Sequence, residues 1–235
     1  MDVLIVVPTY DERDNIEPLL EGIHLHVPDA HVLFVDDASP DGTGAVIDEI
    51  AARDARVHAL HRKGKLGLGT AYLDGFRWGM VRRYDLLFEM DADLSHDPAH
   101  LPAFLEAIED ADIVLGSRYI DGGGTENWER WREGLSRGGN LYARTLLGLS
   151  QRDLTGGFKC FRRSALSQMP LHKVRSEGYA FQVELTWRAT LAGLKIREVP
   201  IVFRERRRGQ SKLSRRIVAE ALLTMIRLRR EGPDR

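Results

Sequence analysis

Residues 84–97 read YDLLFEMDADLSHD: a largely apolar stretch, Tyr84–Leu87, runs straight into Glu89, Asp91, Asp93 and Asp97. Like charges at this spacing repel, and no Lys or Arg stands between them. Asp97 has a local reason to be there. It is followed by Pro98 and an apolar helical pattern, the signature of a helix N-cap with proline at the first helical position. Glu89 lies within the strand and projects to one face. Asp91 and Asp93 are different, because two carboxylates two residues apart in extended chain point the same way, with only Ala92 between them. A hard divalent cation accounts for that pattern, since Mg2+ is held by one or two carboxylates plus substrate phosphate oxygens. A solvated acidic turn is the plainer alternative.

Working outward, strands and helices alternate. Val3–Val7, His31–Asp36, Val57–His61, Tyr84–Met90 and Ile113–Gly116 are β-branched or apolar runs, and each reads as a strand. Between them, Asn15–His24, Gly44–Ala52, Ala71–Arg83 and the stretch from Asp97 to about Glu109 have helical spacing. Strands separated by such helices form βαβ units, so the chain is expected to be α/β with a mainly parallel central sheet flanked by helices. Ligands in such open sheets bind beyond the carboxyl ends of the strands. The segments PTYDE (8–12), DDASP (36–40) and DADLS (91–95) all fall there. Asp37 suits a base or ribose, whereas Asp41-Gly42 is turn chemistry. The loop KGKLGLGT (63–70) fits neither the P-loop nor the dinucleotide spacing, and reads first as a flexible loop and second as a phosphate contact.

The second half is less regular. Gly122–Gly124 reads as a joint, followed by a Trp- and Arg-rich segment and a helix through Leu147. DLTGGF (153–158) reads as a loop, Gly178–Ala192 as a helix, Lys195–Phe203 as a strand and Ser214–Arg230 as a helix. Neither internal repeats nor a long linker interrupt the chain.

The chain has 235 residues, 43% hydrophobic and 29% charged, the balance of an ordinary globular protein rather than a disordered one. Its single cysteine, Cys160, excludes an internal disulfide and sits between phenylalanines as a packing residue. No secretory signal is legible, and no apolar run approaches the ~18 residues of a membrane span. These features point to the cytoplasm. The net charge of −1 conceals an asymmetry: residues 204–235 hold eleven Lys/Arg and four Asp/Glu, a balance of +7, and the remainder holds 23 and 31, a balance of −8. An acidic body with a basic end calls for an anionic partner: phosphate, lipid headgroup or nucleic acid.

Taken together, VVPTYDE (6–12), VDDASPDGT (35–43), MDADLSH (90–96), GSRY (116–119), ENW with SRG (126–138), DLTGGF (153–158) and RRRGQSKL (206–213) resemble the inverting family-2 glycosyltransferases with the GT-A fold. Within them the ordered set is similar to the dolichol-phosphate (polyprenol-phosphate) mannose synthases. The resemblance spans nearly the whole chain and implies a reaction: GDP-mannose plus polyprenyl phosphate gives polyprenyl phosphate mannose and GDP, with inversion. It implies a GT-A domain over residues 1–213 and a basic amphipathic helix and tail over 214–235. It implies Pro8, Tyr10, Glu12, Val35 and Asp37 around the nucleotide, and Asp91 and Asp93 on Mg2+ or Mn2+ with the Ala92 backbone nearby. Ser95 stands where the family has a further polar metal ligand. Arg118, Arg206 and Lys212 would contact substrate phosphates, and Arg132 and Ser136 the acceptor phosphate, with Arg118 and Arg206 also beside it. Asp91, Asp93 and Arg118 would carry the catalysis.

The chemistry agrees. A leaving diphosphate needs its charge neutralised, which a divalent ion does as a Lewis acid. A phosphate acceptor with a second pKa of about 6 is already a dianionic nucleophile at neutral pH, so no general base is required. Arginines suit the grip on such an acceptor. A relative using UDP-glucose with the same lipid remains an alternative, as does a non-catalytic module that binds anionic lipid. A nucleotidyltransferase would carry a glycine- and basic-rich loop where PTYDE stands, and nucleic-acid binding is disfavoured by the acidic body. Along Ser214–Arg230, Ile217, Val218, Ala221, Leu222, Met225 and Ile226 form a stripe between clusters of arginine. Such a helix lies in an anionic interface at the cytoplasmic face of a membrane, or packs on the body or on an anchoring partner subunit.

Overall fold

The sheet begins with β1 (Val3–Thr9), an interior strand. Leu4, Ile5, Val6 and Val7 are completely buried, the unbroken apolar run of a strand covered on both faces. β1 pairs in parallel with β2 (His31–Asp36) on one side and with β4 (Leu86–Glu89) on the other, and β2 pairs in parallel with β3 (Val57–His61). The chain winds outward through α1 (Ile16–His26) and α2 (Thr43–Ala51), then returns through α3 (Leu68–Val81) to lay β4 on the far side of β1. The crevice of an open sheet lies at such a reversal. It brings the end of β1 beside the end of β4: Val6 is in register with Glu89, and the Met90 N–H donates to the Val6 carbonyl at 3.2 Å.

The structure, a computed structural model, describes residues 1–204 and 215–232. The remaining described elements are α4 (Leu101–Ala107), β5 (Ile113–Ser117), β6 (Gly124–Glu126), α5 (Arg130–Leu147), β7 (Lys159–Arg162), α6 (Arg163–Gln168), α7 (Gly178–Leu191), β8 (Ile196–Pro200), β9 (Val202–Arg204) and α8 (Arg215–Glu231). The seven-stranded sheet has the order β3-β2-β1-β4-β7-β5-β8, parallel except for β7, which runs antiparallel to both neighbours. The α/β class with a mainly parallel, helix-flanked sheet is as expected.

Three features differ from the sequence reading. β7 is a strand of four residues beginning at a lysine, too short and too polar to show a strand pattern. The run expected as one strand over 195–203 breaks at Ile201, and its second half pairs with β6 in a small parallel ribbon. Gly122–Gly124 is a packed turn rather than a joint: a Cβ on Gly123 would lie 2.5 Å from the Ser117 carbonyl oxygen.

Two cores sandwich the sheet. One, under α1, α2 and α4, includes Phe34, Phe88, Phe104, Phe158 and Cys160; the other, under α3, α6 and α7, includes Leu4, Val6, Phe76, Phe161 and Phe181. Helix α3 presses directly on the sheet through glycine. A Cβ on Gly75 would sit 2.3 Å from Val6 Cγ1, and one on Gly79 would sit 2.6 Å from both Leu4 and Leu87. A third cluster joins α5, α7 and α8 through Ala143, Leu147, Val183, Trp187, Met225 and Leu228. The far half of α8 therefore packs on the body, and Arg227 donates to Ser176 Oγ at 3.3 Å. Among the described residues no helix is long and apolar enough to cross a membrane.

Candidate active site

The chain leaves β4 through a tight turn in which Leu94 adopts a left-handed φ of +62°. That turn is braced from within. The Asp91 N–H donates to His96 Nδ1 at 3.1 Å, and the Ser95 N–H and Oγ–H both donate to Asp93 Oδ1, at 3.1 and 2.5 Å. Tyr72 on α3 donates its hydroxyl to Asp91 Oδ1 at 3.0 Å. Ala92, between the two carboxylates, is 4% exposed. Ser95, expected as a further metal ligand, is 1% exposed and lies beneath Asp93. Its geometry is that of a turn residue orienting Asp93. Asp97 caps the next helix as expected, accepting from the Ala99 N–H at 3.0 Å.

Below the turn, on the α3 side of the sheet, lies a buried polar column the sequence did not reveal. Glu89 is wholly buried and in register with Lys159. Burial pushes the Glu89 carboxyl up to about 7 and the Lys159 ammonium down to about 8. Lys159 Nζ donates to the Gln182 carbonyl at 2.8 Å and to Gln182 Oε1 at 2.5 Å. The Gln182 Nε2 is thereby turned toward Glu89, close to it but without an aligned hydrogen bond.

The nucleotide candidates gather at the ends of β1 and β2. Pro8 is in register with Val35 and Thr9 with Asp36, and the Asp37 N–H donates to the Thr9 carbonyl at 3.1 Å. Val35 is a fully buried core residue, so only its backbone is available to a ligand. Asp37 accepts from the Leu66 N–H at 3.0 Å and lies 3.0 Å from Arg62 Nε, close in distance although the N–H is not aimed along that line. Arg62, missed from sequence, is the first residue beyond β3 and could have been found by the same rule as the others. Lys65 lies over the Tyr10 ring at 3.6 Å, which places the glycine-loop lysine on this wall. Glu12 accepts from Asn15 Nδ2 at 2.7 Å.

Arg118 changes character. It is 4% exposed at the end of β5 and makes a bidentate pair with Asp153, Nε to Oδ2 at 2.6 Å and Nη2 to Oδ1 at 2.7 Å, with Nη2 also donating to Thr155 Oγ1 at 2.8 Å. Burial alone would raise the Asp153 carboxyl, but the Arg118 charge outweighs it and holds that carboxyl below its ordinary range. Arg118 thus anchors the 153–157 loop rather than presenting a bare guanidinium. Asn140 on α5 ties the same loop, donating to Thr155 Oγ1 at 3.1 Å and accepting from the Leu154 N–H at 2.6 Å.

Arg132 and Ser136 stand on α5. Arg132 lies 4.3 Å over the Trp128 ring, and the Tyr119 hydroxyl donates to Ser136 Oγ at 2.7 Å. Trp128 meets Phe203 edge-on at 5.4 Å and Phe203 meets His96 edge-on at 5.5 Å. This aromatic ladder joins the α5 cluster to the Asp91–Asp93 turn. Arg206 and Lys212 lie outside the described residues.

Two carboxylates with braced turns, at the switch point of a parallel sheet, suit a hard divalent ion whose remaining ligands are water and diphosphate. Among the described residues no group of three or more His, Cys, Asp or Glu side chains could hold a metal ion, so the two aspartates would share the ion with its substrate. The family model for Glycosyl transferase family 2 matches residues 4–169, and the chain belongs to that family. It is 48% identical over 97% of its length to the undecaprenyl-phosphate mannosyltransferase of Micrococcus luteus, covering 93% of that protein. It is also 48% identical over 93% of its length to the polyprenol monophosphomannose synthase of Mycolicibacterium smegmatis, covering 83% of it. The glucosyl-3-phosphoglycerate synthase of Mycobacterium tuberculosis, solved with Mn2+, uridine diphosphate and glucosyl-3-phosphoglycerate, shares the GT-A fold. Its TM-score is 0.67 at 18% identity, covering 99% of this chain and 81% of that one.

Proposed function

We propose that the chain transfers mannose from GDP-mannose to a polyprenyl monophosphate with inversion, giving polyprenyl phosphate mannose and GDP. The observation that carries this reading is the pair Asp91 and Asp93, held in a braced turn where β1 and β4 end together. The names of the two relatives support the mannosyl group and the lipid acceptor. In this reading the aspartates hold Mg2+ or Mn2+, which neutralises the departing diphosphate. Pro8, Tyr10, Glu12, Val35 and Asp37 surround the nucleotide, with Arg62 fixing Asp37. Arg132 and Ser136 bind the acceptor phosphate, and Arg118, held by Asp153, contacts the substrate phosphates together with Arg206 and Lys212. An acceptor oxygen attacks the anomeric carbon from the side opposite the diphosphate; the new C–O bond forms as the old one breaks. Because that oxygen is already ionised, no side chain needs to take its proton.

With a lipid acceptor in this reading, α5 offers exposed apolar side chains suited to a bilayer surface, beside the basic helix expected over 214–230. Trp131 and Leu135, one turn apart, are 61% and 41% exposed, with Arg130 and Arg137 beside them. An aromatic residue with flanking cations is suited to an anionic interface. Residues 1–213 supply the transferase in this reading, and 214–235 a basic helix and tail.

The test is transfer of label from radiolabelled GDP-mannose to a short polyprenyl phosphate, with Mg2+ or Mn2+ and with EDTA, beside UDP-glucose. Metal-dependent labelled lipid from GDP-mannose, lost in Asp93→Ala, is the expected result. Transfer from UDP-glucose alone would overturn the donor, and lipid binding without transfer from either would overturn the enzymatic reading.

A further inference from the structure

Tyr72 has no assigned part in the site, yet its position is not that of an ordinary core aromatic. It lies on the first turns of α3, where the glycines at 75 and 79 let the helix touch the sheet. Its ring is fully buried and stacked within 7° of parallel against Phe181 at 6.0 Å, with Phe76 at 6.3 Å. Phenylalanine would fill that space equally well. The hydroxyl is what phenylalanine lacks, and it is directed at Asp91 Oδ1 from 3.0 Å. A carboxylate turns easily about its last torsion, which is broad and two-fold. A donor on Oδ1, itself immobilised by stacking, therefore restrains the Asp91 carboxylate.

Resting on the reading of Asp91 as a cation ligand, we propose that Tyr72 is a positioning residue for the divalent cation site, orienting Asp91 through its hydroxyl. The arrangement mirrors Asp93, whose Oδ1 is held by Ser95. At each aspartate, Oδ1 accepts from a protein donor. The two braces differ in origin: Ser95 belongs to the same turn, whereas Tyr72 comes from the helix that follows the 62–67 loop. That loop also carries Arg62, which lies beside Asp37, and the Leu66 N–H, which donates to it. One short helix therefore connects the nucleotide wall to the cation site.

Hydrogen-bond partners behind metal ligands commonly contribute about 10–100-fold in metal affinity. The experiment is a Mn2+ titration of the full chain with saturating GDP, read by the electron paramagnetic resonance of free Mn2+, for wild type, Tyr72→Phe and Asp91→Asn. The proposal expects Tyr72→Phe to bind Mn2+ roughly tenfold more weakly, at the low end of that range, with its thermal unfolding close to wild type. It further expects the Mn2+ dependence of transfer to shift to higher concentration by the same factor, with the rate restored at saturating Mn2+. A purely structural role would lower the rate at every Mn2+ concentration and leave the affinity unchanged. Wild-type affinity in Tyr72→Phe with binding lost in Asp91→Asn would overturn the proposal alone. Unchanged binding in Asp91→Asn would overturn the cation-site reading beneath it.

Discussion

Removing the Asp153 carboxylate tests the claim that Arg118 is chiefly an anchor. The side chains of Arg118 and Asp153 are 5% and 0% exposed, and the carboxylate takes three hydrogen bonds from Arg118, at 2.6, 2.7 and 3.0 Å. Breaking a buried pair by deleting one partner costs about 3–5 kcal/mol, because the remaining charge stays desolvated without a counter-ion. At roughly 2–4 °C per kcal/mol for a chain of this size, Asp153→Leu should lower the melting temperature by about 6–20 °C. Replacing both partners by apolar residues is often close to neutral. Arg118→Met with Asp153→Leu should therefore recover most of the loss, incompletely because the Arg118 backbone N–H also loses its acceptor. Thermal and urea unfolding of wild type, the two single variants and the double variant close a cycle that yields the coupling directly. A cost below about 1 kcal/mol for Asp153→Leu, or a double variant as unstable as the sum of the singles, would refute the reasoning.

Two further outcomes follow from particular contacts. Gly75→Ala should destabilise by about 1–3 kcal/mol in urea unfolding, since its methyl would enter at 2.3 Å from Val6 and force α3 off the sheet; the same change at Gly134, where a Cβ meets nothing within 4 Å, should not. His58 Nε2 lies 3.0 Å from His31 Nδ1, with the Tyr84 hydroxyl against both rings. Burial, and then the positive fields of His31 and Arg82, lower its proton affinity in the folded state. The unfolded chain therefore takes up this proton first, so stability is full above about pH 6.5 and declines as pH falls through the lowered folded value. The urea midpoint should drop from pH 7 toward 5.5, and His58→Gln should flatten part of that slope; an unchanged slope would remove His58 as its cause.

Much of the fold was legible because the first half of the chain repeats one pattern, apolar run then helical spacing, and parallel sheets require it. The strand ends where the candidate site gathers were legible too, since β1, β2 and β4 each end in unusual polar residues. What stayed hidden depends on contacts distant in sequence. β7 enters the sheet beside β4 from over 60 residues later, as shown by Glu89 pairing with Lys159. Lys159 itself, a lysine between Phe158 and Phe161, was the available signal that an apolar run was not only core. Tyr72 gave no such signal, because an aromatic residue on a helix reads as packing until its hydroxyl is seen to meet Asp91. Arg118 was placed at the right strand end, but its partner Asp153 lies 35 positions away, beyond any local pattern.

The central claim is that Asp91 and Asp93 hold a divalent ion together with the donor diphosphate. Anomalous diffraction from crystals grown with Mn2+ and GDP would test it most directly. The account predicts one manganese peak within coordination distance of both carboxylates and of the diphosphate. A diphosphate bound with no manganese there, or manganese held elsewhere in the crevice, would contradict it.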